Sequence, residues 1–541
     1  MDISTVNFSN LLEELTDIGI ALSAQKDHSR LLEMILLKAK DLTNADGGTL
    51  YSRTSDDHLK FEIMITESLG IHKGGTSGEE IKFKPIALYD EHGTANNHMV
   101  ATWAALSRET VNIADAYTDK KFDFSGTRAF DKQTGYRSKS FLTVPLTNHE
   151  NSNIGVLQLL NAKDRETGAV KQFSELDQQV VESLASQAAV TITNQSLIIA
   201  QKKLFDAMIQ LIADAIDEKS PYTAGHCHRV PVLTNMIADA ACRVDYGPLK
   251  SFTMSEQERY ALNVAGWLHD CGKITTPEFV VDKGTKLETI IDRIDLVETR
   301  FEILKRDMEI QLLRKQLATH GAGPDPVAVA QYQSELVRLQ EESDFVRRSN
   351  IGGESMSEEN KARIREIASR TWQRSDGTAQ KLLSEEEVYN LVVERGTLTF
   401  EEREVINNHI SVTIKMLESL PYPRHLESVP EYAGGHHEKM DGTGYPRGLT
   451  RDQLSIPARM MGIADIFEAL TAGDRPYKKA MPLSQALSIL GKMKVNKHVD
   501  PDLFDLFISE KVYLEYAEKY LNPEQIDEFD ITAIPGYAPA R

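Results

Sequence analysis

Apolar residues recur at helical spacing from Leu11 to Leu42, most regularly at Leu31, Leu32, Ile35, Leu36 and Ala39, which predicts an opening amphipathic helical stretch. The period then shortens. Gly48-Thr49-Leu50-Tyr51, the run from Lys60 to Ile65, the run from Ser140 to Pro145 and the run from Ile154 to Leu160 read as strands. A second helical stripe starts near Ser174, with Leu176, Val180, Leu184, Ala188 and Ile192 in register, and continues through Leu197, Leu204, Met208, Leu211 and Ile216. No proline interrupts it before Pro221, so one helix over residues 174–220 can leave the first domain (residues 1–195) and enter the second (residues 203–541). Helix, mixed sheet and exit helix together suggest a ligand-sensing module. A long apolar-striped helix between two domains usually pairs with its copy in a homodimer, the alternative being packing on its own domains.

The second half is helical in pattern. Leu287, Ile290, Ile294, Val297, Phe301, Leu304 and Met308 alternate steps of three and four, as a coiled-coil seam does. Gly321-Ala322-Gly323-Pro324-Asp325-Pro326 breaks the pattern, and Val327 to Val346 is helical again, which predicts a helical-hairpin arm. The segment from Asn350 to Asn360 is turn-like and is expected to be mobile.

At 541 residues the chain is too long for one core. Hydrophobic and charged fractions of 41% and 26% fit an ordinary globular protein. The absence of an 18-residue apolar run predicts no membrane span. The opening Met1-Asp2-Ile3-Ser4 has neither a basic region nor an apolar core, so no signal peptide is expected. Cys227, Cys242 and Cys271 form neither a disulfide framework nor a zinc ribbon, and a reducing, cytoplasmic setting follows. A net charge of −20 argues against binding a nucleic-acid polymer, whose affinity comes largely from phosphate neutralisation. It does not forbid a small anionic nucleotide, because metals and a few lysines set the local field.

The chemistry gathers at five places. The run His436-His437-Glu438-Lys439-Met440-Asp441-Gly442-Thr443-Gly444-Tyr445-Pro446 joins two adjacent imidazoles to a Gly-rich turn, and such histidines converge on one site only from a loop or a kinked helix end. The bland alternative is a polar surface turn. Upstream, His269-Asp270-Cys271-Gly272-Lys273 closes an apolar segment. Asp465 lies inside an apolar helical stretch, where a carboxylate is costly unless it meets a cation. His226 and His409 complete the set. His226, His269, Asp270, His409, His436, His437 and Asp465 are too many ligands for one tetrahedral zinc but suit two metals bridged by a carboxylate. The mixed N/O set favours iron or manganese as the two divalent ions, although zinc, nickel or cobalt could occupy it. Lys273, three residues beyond Asp270, shares its side of a helical turn and can meet a phosphate, or it is simply a C-terminal helix charge.

His269-Asp270 with Gly272-Lys273, His436-His437-Glu438, Asp441-Gly442, Gly444-Tyr445-Pro446, Asp465 and Asp474-Arg475-Pro476-Tyr477 resemble the HD-GYP phosphodiesterases of the HD phosphohydrolase superfamily. The resemblance covers roughly residues 203–541. It implies an all-α bundle with a two- or three-metal centre that hydrolyses cyclic di-GMP to pGpG or on to GMP. Carried over, it makes the seven residues above the ligands, with Asp270 as the bridge and Asp270 and Lys273 the catalytic residues. Lys273, Asp441, Gly444, Tyr445, Arg475 and Lys478 then face substrate, and the Gly-Tyr-Pro turn meets either substrate or a partner protein. Members with three metals have Glu four residues before the first ligand histidine. Here that residue is Tyr222, whose phenol loses its proton only near pH ~10. Two metals and a first cut to pGpG are therefore expected. Against the family spacing, residues 284–396 are an insertion.

The first domain resembles a GAF domain through Asn112-Ile113-Ala114-Asp115-Ala116-Tyr117, Gly135-Tyr136-Arg137-Ser138-Lys139-Ser140 and Gly155 to Asn161. That implies an antiparallel sheet with helices. Asn161, Lys163, Phe173 and Asp177 are similar to the pattern of members that bind cyclic nucleotides, with Ala162 and Gln178 departing from it. In the family this pattern mostly braces the fold. The effector is thus an unknown small molecule, a cyclic nucleotide being one option and pure dimerisation another. The whole reads as a sensor-regulated phosphodiesterase for a cyclic dinucleotide. The alternatives are the same chemistry on cyclic GMP-AMP or a mononucleotide, and a non-catalytic signalling adaptor.

Overall fold

A computed structural model describes residues 3–219, 225–318, 325–353, 355–473 and 480–538. The chain divides into two compact units, Met1–Phe205 and Asp206–Arg541.

The first unit opens with α1 (Ile3–Ala24) and α2 (His28–Thr43), so the opening helical stretch is two helices. Asp27 starts the second by accepting the Arg30 N–H, and Asn44, at φ 52°, ends it. Eight strands follow, β1 (Ala45–Arg53), β2 (His58–Thr66), β3 (Ile71–Gly74), β4 (Ile86–Ala87), β5 (Val111–Ile113), β6 (Phe141–Thr147), β7 (Asn153–Lys163) and β8 (Val170–Lys171). They form one antiparallel sheet in the order β3-β2-β1-β7-β6-β5, with β4 on β2 and β8 on β7. The long exit helix, α5 (Glu175–Lys219), packs Val181, Leu184, Ala185 and Ala188 with Leu31, Ile35 and Leu36 of α2 over Leu50, Leu142, Leu157 and Leu159 of the sheet. On the far side, α3 (Val100–Ser107) covers β5 and β6 through Val100 and Ala104, and α4 (Ser125–Thr134) follows.

The residues of the cyclic-nucleotide pattern brace this unit. The Asn161 amide accepts the Lys139 and Ser140 N–H groups and donates to the Tyr136 hydroxyl and the Arg137 carbonyl. Lys163 pairs with the buried Asp46, Phe173 lies in the core, and Asp177 accepts from Ser174 at the start of the exit helix.

That exit helix, α5, runs unbroken from Glu175 to Lys219, so it crosses the boundary between the units. The second unit continues with α6 (His226–Arg243), α7 (Glu256–Leu268), α8 (Glu278–Val281), α9 (Ile294–Ala318), α10 (Pro326–Asn350), α11 (Glu358–Ala368), β9 (Thr371–Gln373), β10 (Ala379–Lys381) and α12 (Glu385–Leu391). It closes with α13 (Phe400–Asn407), α14 (His409–Glu418), α15 (Val429–Gly434), α16 (Ile456–Thr471), α17 (Leu483–Val495), α18 (Pro501–Ser509) and α19 (Val512–Tyr520).

The arm pairs α9 with α10 around its own core, in which Val297, Phe301, Leu339 and Val346 meet Ile364, Ile367 and Leu382. Three expectations need correction here. The seam starts at Ile294; Leu287 is buried in the preceding loop, and Ile290 is 94% exposed. The β9–β10 pair adds a small sheet to what the sequence suggested was wholly helical. Of the segment expected to be turn-like, Asn350 ends α10 and residues 358–360 open α11, and the buried Asn350 side chain accepts the Leu287 N–H and donates to Asp292.

Candidate metal centre

The seven proposed ligands come from α6, the end of α7, α14, the turn after α15, and α16. Six fall into two groups, His226 with His269 and Asp270, and His409 with His436 and His437. Within each group the donor atoms lie within 4.8 Å of one another. The Asp270 carboxylate stands between them. Its Oδ2 is 3.5 Å from His226 Nε2 and 3.3 Å from His269 Nε2, while its Oδ1 is 3.1 Å from His409 Nε2. Asp465 joins the first group, 3.3 Å from His226 and 3.9 Å from His269.

Three of the imidazoles are oriented by one local device. His269, His409 and His436 each donate from Nδ1 to the carbonyl three residues earlier, Gly266, Ile406 and Ala433. A carbonyl only accepts, so Nδ1 carries the proton and Nε2 turns its lone pair into the site. The paired histidines converge because α15 ends at Gly434 just before them. His437 is held differently, stacked on Tyr445 with ring centroids 4.8 Å apart and planes 25° apart.

The sequence reading missed the partner of His226. Its Nδ1 meets the buried Glu468, whose other oxygen takes Arg229 Nε at 2.5 Å. The clue was present, since Glu468 sits three residues after Asp465 in the same apolar helix and so shares its face. Glu438, quoted only as part of the motif, is buried and accepts the N–H groups of Arg447 and Leu449, tying the Gly-Tyr-Pro turn to the paired histidines. Lys219, at the end of α5, donates to the carbonyls of Lys273, Ile274 and Thr276, closing the turn that follows Asp270.

Charge is partitioned within the site. Burial holds His436 well below the usual imidazole range, and it pushes His437 down to about 4. Burial opposes a charge on Asp270, yet Lys273 and the neighbouring histidines outweigh it and keep the carboxyl well below its usual range. Asp465 is likewise ionised, burial being overcome by His226 and His436. On His226, burial is outweighed by Asp270, Asp465 and Glu468, which hold the ring protonated well above its usual range. The first group thus concentrates negative charge where a cation would take the place of a proton.

The donor set fits metal ions. Asp270 Oδ1, His409 Nε2 and His436 Nε2 are buried and have no hydrogen-bond partner. Buried polar atoms are nearly always satisfied, so three such orphans among the proposed ligands fit a site built to take a metal ion.

Lys273 Nζ lies 2.6 Å from Asp270 Oδ2 on a 3₁₀ turn, with the side chain 19% exposed. Tyr445 is half-buried against His437. Asp441, expected at the substrate, is exposed and accepts the N–H and hydroxyl of Thr443 in its own loop. Gly444 serves backbone packing, because a Cβ there would stand 2.3 Å from Lys439 N and 2.5 Å from Glu438 Cα. Tyr222, Arg475 and Lys478 lie outside the described residues.

A GAF domain model matches residues 27–192, and an HD domain model matches residues 356–503. The chain therefore carries a GAF domain followed by an HD domain. Over 121 residues it is 40% identical to a 3'3'-cGAMP-specific phosphodiesterase of Vibrio cholerae, covering 22% of this chain and 25% of that one. It is 33% identical over 141 residues to a probable cyclic di-GMP phosphodiesterase of the same organism, covering 25% and 32%. A cyclic di-GMP phosphodiesterase of Pseudomonas aeruginosa is 44% identical over 73 residues, covering 14% and 17%. The chain thus spans a third or less of the length of each of these curated relatives.

Proposed function

We propose that this chain is a metal-dependent phosphodiesterase that opens a cyclic dinucleotide, cyclic di-GMP to pGpG, under control of its GAF domain. The observation that carries the reading is the Asp270 carboxylate set between two histidine groups, with buried orphan atoms facing it from the second. His226, His269 and Asp465 would hold one ion, His409, His436 and His437 the other, and Asp270 would bridge them. When bound, such a pair polarises a phosphodiester and supplies a nucleophilic water at neutral pH. Iron or manganese suits the N/O donors best.

The residues divide the remaining work. Asp270, kept ionised, offers one carboxylate oxygen to each histidine group and so would serve both ions. The Lys273 ammonium stands at the open edge of the site, where it meets the non-bridging phosphate oxygens as charge builds on them. Tyr445, stacked on His437, presents an aromatic face that a guanine could extend. The new bond joins water oxygen to phosphorus, the bond to the ribose oxygen breaks, and the proton lost by the water ends on that oxygen, leaving a linear dinucleotide with a terminal phosphate and a free ribose hydroxyl.

Similarity to a 3'3'-cGAMP-specific phosphodiesterase favours cyclic GMP-AMP as a second substrate reading. An adaptor that had lost its chemistry is a poorer fit, because the seven ligands are all present. Leu197, Leu204, Met208 and Leu211 are exposed along α5, which supports pairing with a second copy of the chain. Among the described residues no helix is long and apolar enough to cross a membrane, and we place the protein in the cytoplasm. Purified protein offered cyclic di-GMP and 3'3'-cGAMP in parallel, with product chromatography, tests the activity and ranks the substrates.

A further inference from the structure

The segment 284–396, expected as an insertion although the HD domain match begins within it at residue 356, divides the site in sequence: Asp270 precedes it and His409 follows it. Its two ends meet at a buried polar root. The Lys283 side chain is fully buried, with Nζ 2.7 and 2.8 Å from the Glu402 carboxylate oxygens and 2.9 Å from Asn390 Oδ1. Thr397 Oγ1 donates to the Lys283 carbonyl at 2.8 Å. Lys286 Nζ donates to the carbonyls of Leu391 and Val393 at 3.0 and 2.8 Å. The entry and exit segments are thereby locked side by side.

Glu402 belongs to α13, the helix that leads straight into His409, and α13 buries none of its residues. Apolar packing therefore does little to set its position. Its side chains bond instead to the root: Glu402 to Lys283, Glu401 to the Tyr389 hydroxyl at 2.9 Å, and Arg403 to the Arg395 carbonyl. At its other end, the Ile406 carbonyl takes the Nδ1 proton of His409 and aims Nε2 at Asp270. One line of contacts thus runs from Lys283 through Glu402 and α13 to a proposed metal ligand. A second fixture holds α14 directly, since Gly272 donates to Thr413 Oγ1 at 2.9 Å and a Cβ on Gly272 would fall 2.0 Å from the His409 carbonyl oxygen. That contact fixes the depth of α14 against Asp270. α14 also packs on the turn around Gly272 and on α15, and its first turn follows directly from α13.

We propose that Lys283 is a positioning residue for His409, so that the root of the insertion sets the geometry of the second histidine group. A buried ion pair adds little net stability, and its best-attested role is to fix one arrangement among several. The insertion is on this account part of the scaffold of the metal centre, and anything that binds or loosens its root changes how that group holds an ion. The inference rests on the proposed two-metal reading.

The test is Mn²⁺ binding by the full chain, read as stoichiometry and affinity in competition with a chelator, with Tm recorded beside it. Lys283→Met is expected to weaken one of the two ions about 10–100-fold, the range for loss of a group that orients a ligand, and to leave the other unchanged. The double variant Lys283→Met/Glu402→Leu, which strands no buried charge, is expected to regain Tm without regaining that affinity. Should Lys283→Met fail to fold, Glu402→Gln gives the same reading, since it removes the charge and keeps a side chain able to cap Thr399. Variants that hold both ions as the wild type does would overturn the inference alone, and so would a double variant that restores affinity together with Tm. A wild type that binds no Mn²⁺ would overturn both this inference and the two-metal reading.

Discussion

Asp270 Oδ1 and His409 Nε2 face each other 3.1 Å apart, both buried and neither in a hydrogen bond. A carboxylate and an imidazole placed so share an ion more readily than a proton, because His409 Nδ1 already carries its proton toward Ile406. Asp270→Ala removes the one group common to both halves of the site. It should abolish metal content and hydrolysis together, as elemental analysis and a turnover assay would show. Retention of both ions would rule out the bridge.

Glu468 acts through His226. Glu468→Ala leaves the His226 Nδ1 proton and Arg229 without the acceptor they share, and should weaken the ion at His226, His269 and Asp465 by about 10–100-fold. Chelator competition measures this, and Glu468→Gln should lie between the wild type and Glu468→Ala. Unchanged affinity in both would show that the His226 ring is held by packing alone.

Gly444→Ala tests the part assigned to the turn. The new Cβ would meet the backbone of Lys439 and Glu438, which cannot move aside as a flexible side chain could. A loss of about 1–3 kcal/mol in stability is expected, as for overpacking at a close contact, together with weakened metal binding through His436 and His437. Normal stability with reduced substrate affinity alone would return Gly444 to the substrate contacts.

The sequence made the site legible where ligands stand beside their motif. His436-His437, His269-Asp270 and Asp465 each announce themselves within a few residues, and the structure brings them together. Glu468 was missed because its partner is 242 positions away, although its helical step from Asp465 marked it. The arm is visible as a three-four repeat, yet that repeat extends back to Leu287 whereas the helix begins at Ile294. Periodicity cannot tell an apolar residue that ends a loop from one that opens a seam. Asp441 enters the substrate set by resemblance alone, and the structure adds its turn with Thr443. The antiparallel sheet was legible in its strands, but not its order, which depends on pairing between residues more than a hundred positions apart.

Lys286 gives a pH signature distinct from the metal centre. Burial pushes its ammonium down to about 8, whereas the unfolded chain protonates it near its ordinary value of 10.5. Between these values the unfolded state binds more protons, so this group's contribution to stability rises with pH across that window. The neutral amine keeps two N–H groups for the Leu391 and Val393 carbonyls. Raising the pH from about 8 to about 10 should therefore lift the wild-type Tm relative to Lys286→Met by about 1–3 °C. Parallel pH profiles for the two proteins would refute this.

If one chain holds two ions bridged by Asp270 and uses them to open a cyclic dinucleotide, metal content and product must change together. Anaerobic purification, elemental analysis and product analysis on the same sample test it most directly. Two transition-metal ions per chain, conversion of cyclic di-GMP to pGpG with little GMP, and loss of both properties on chelation are expected. One ion per chain or three, or a fully loaded protein that leaves both cyclic di-GMP and 3'3'-cGAMP intact, would contradict it.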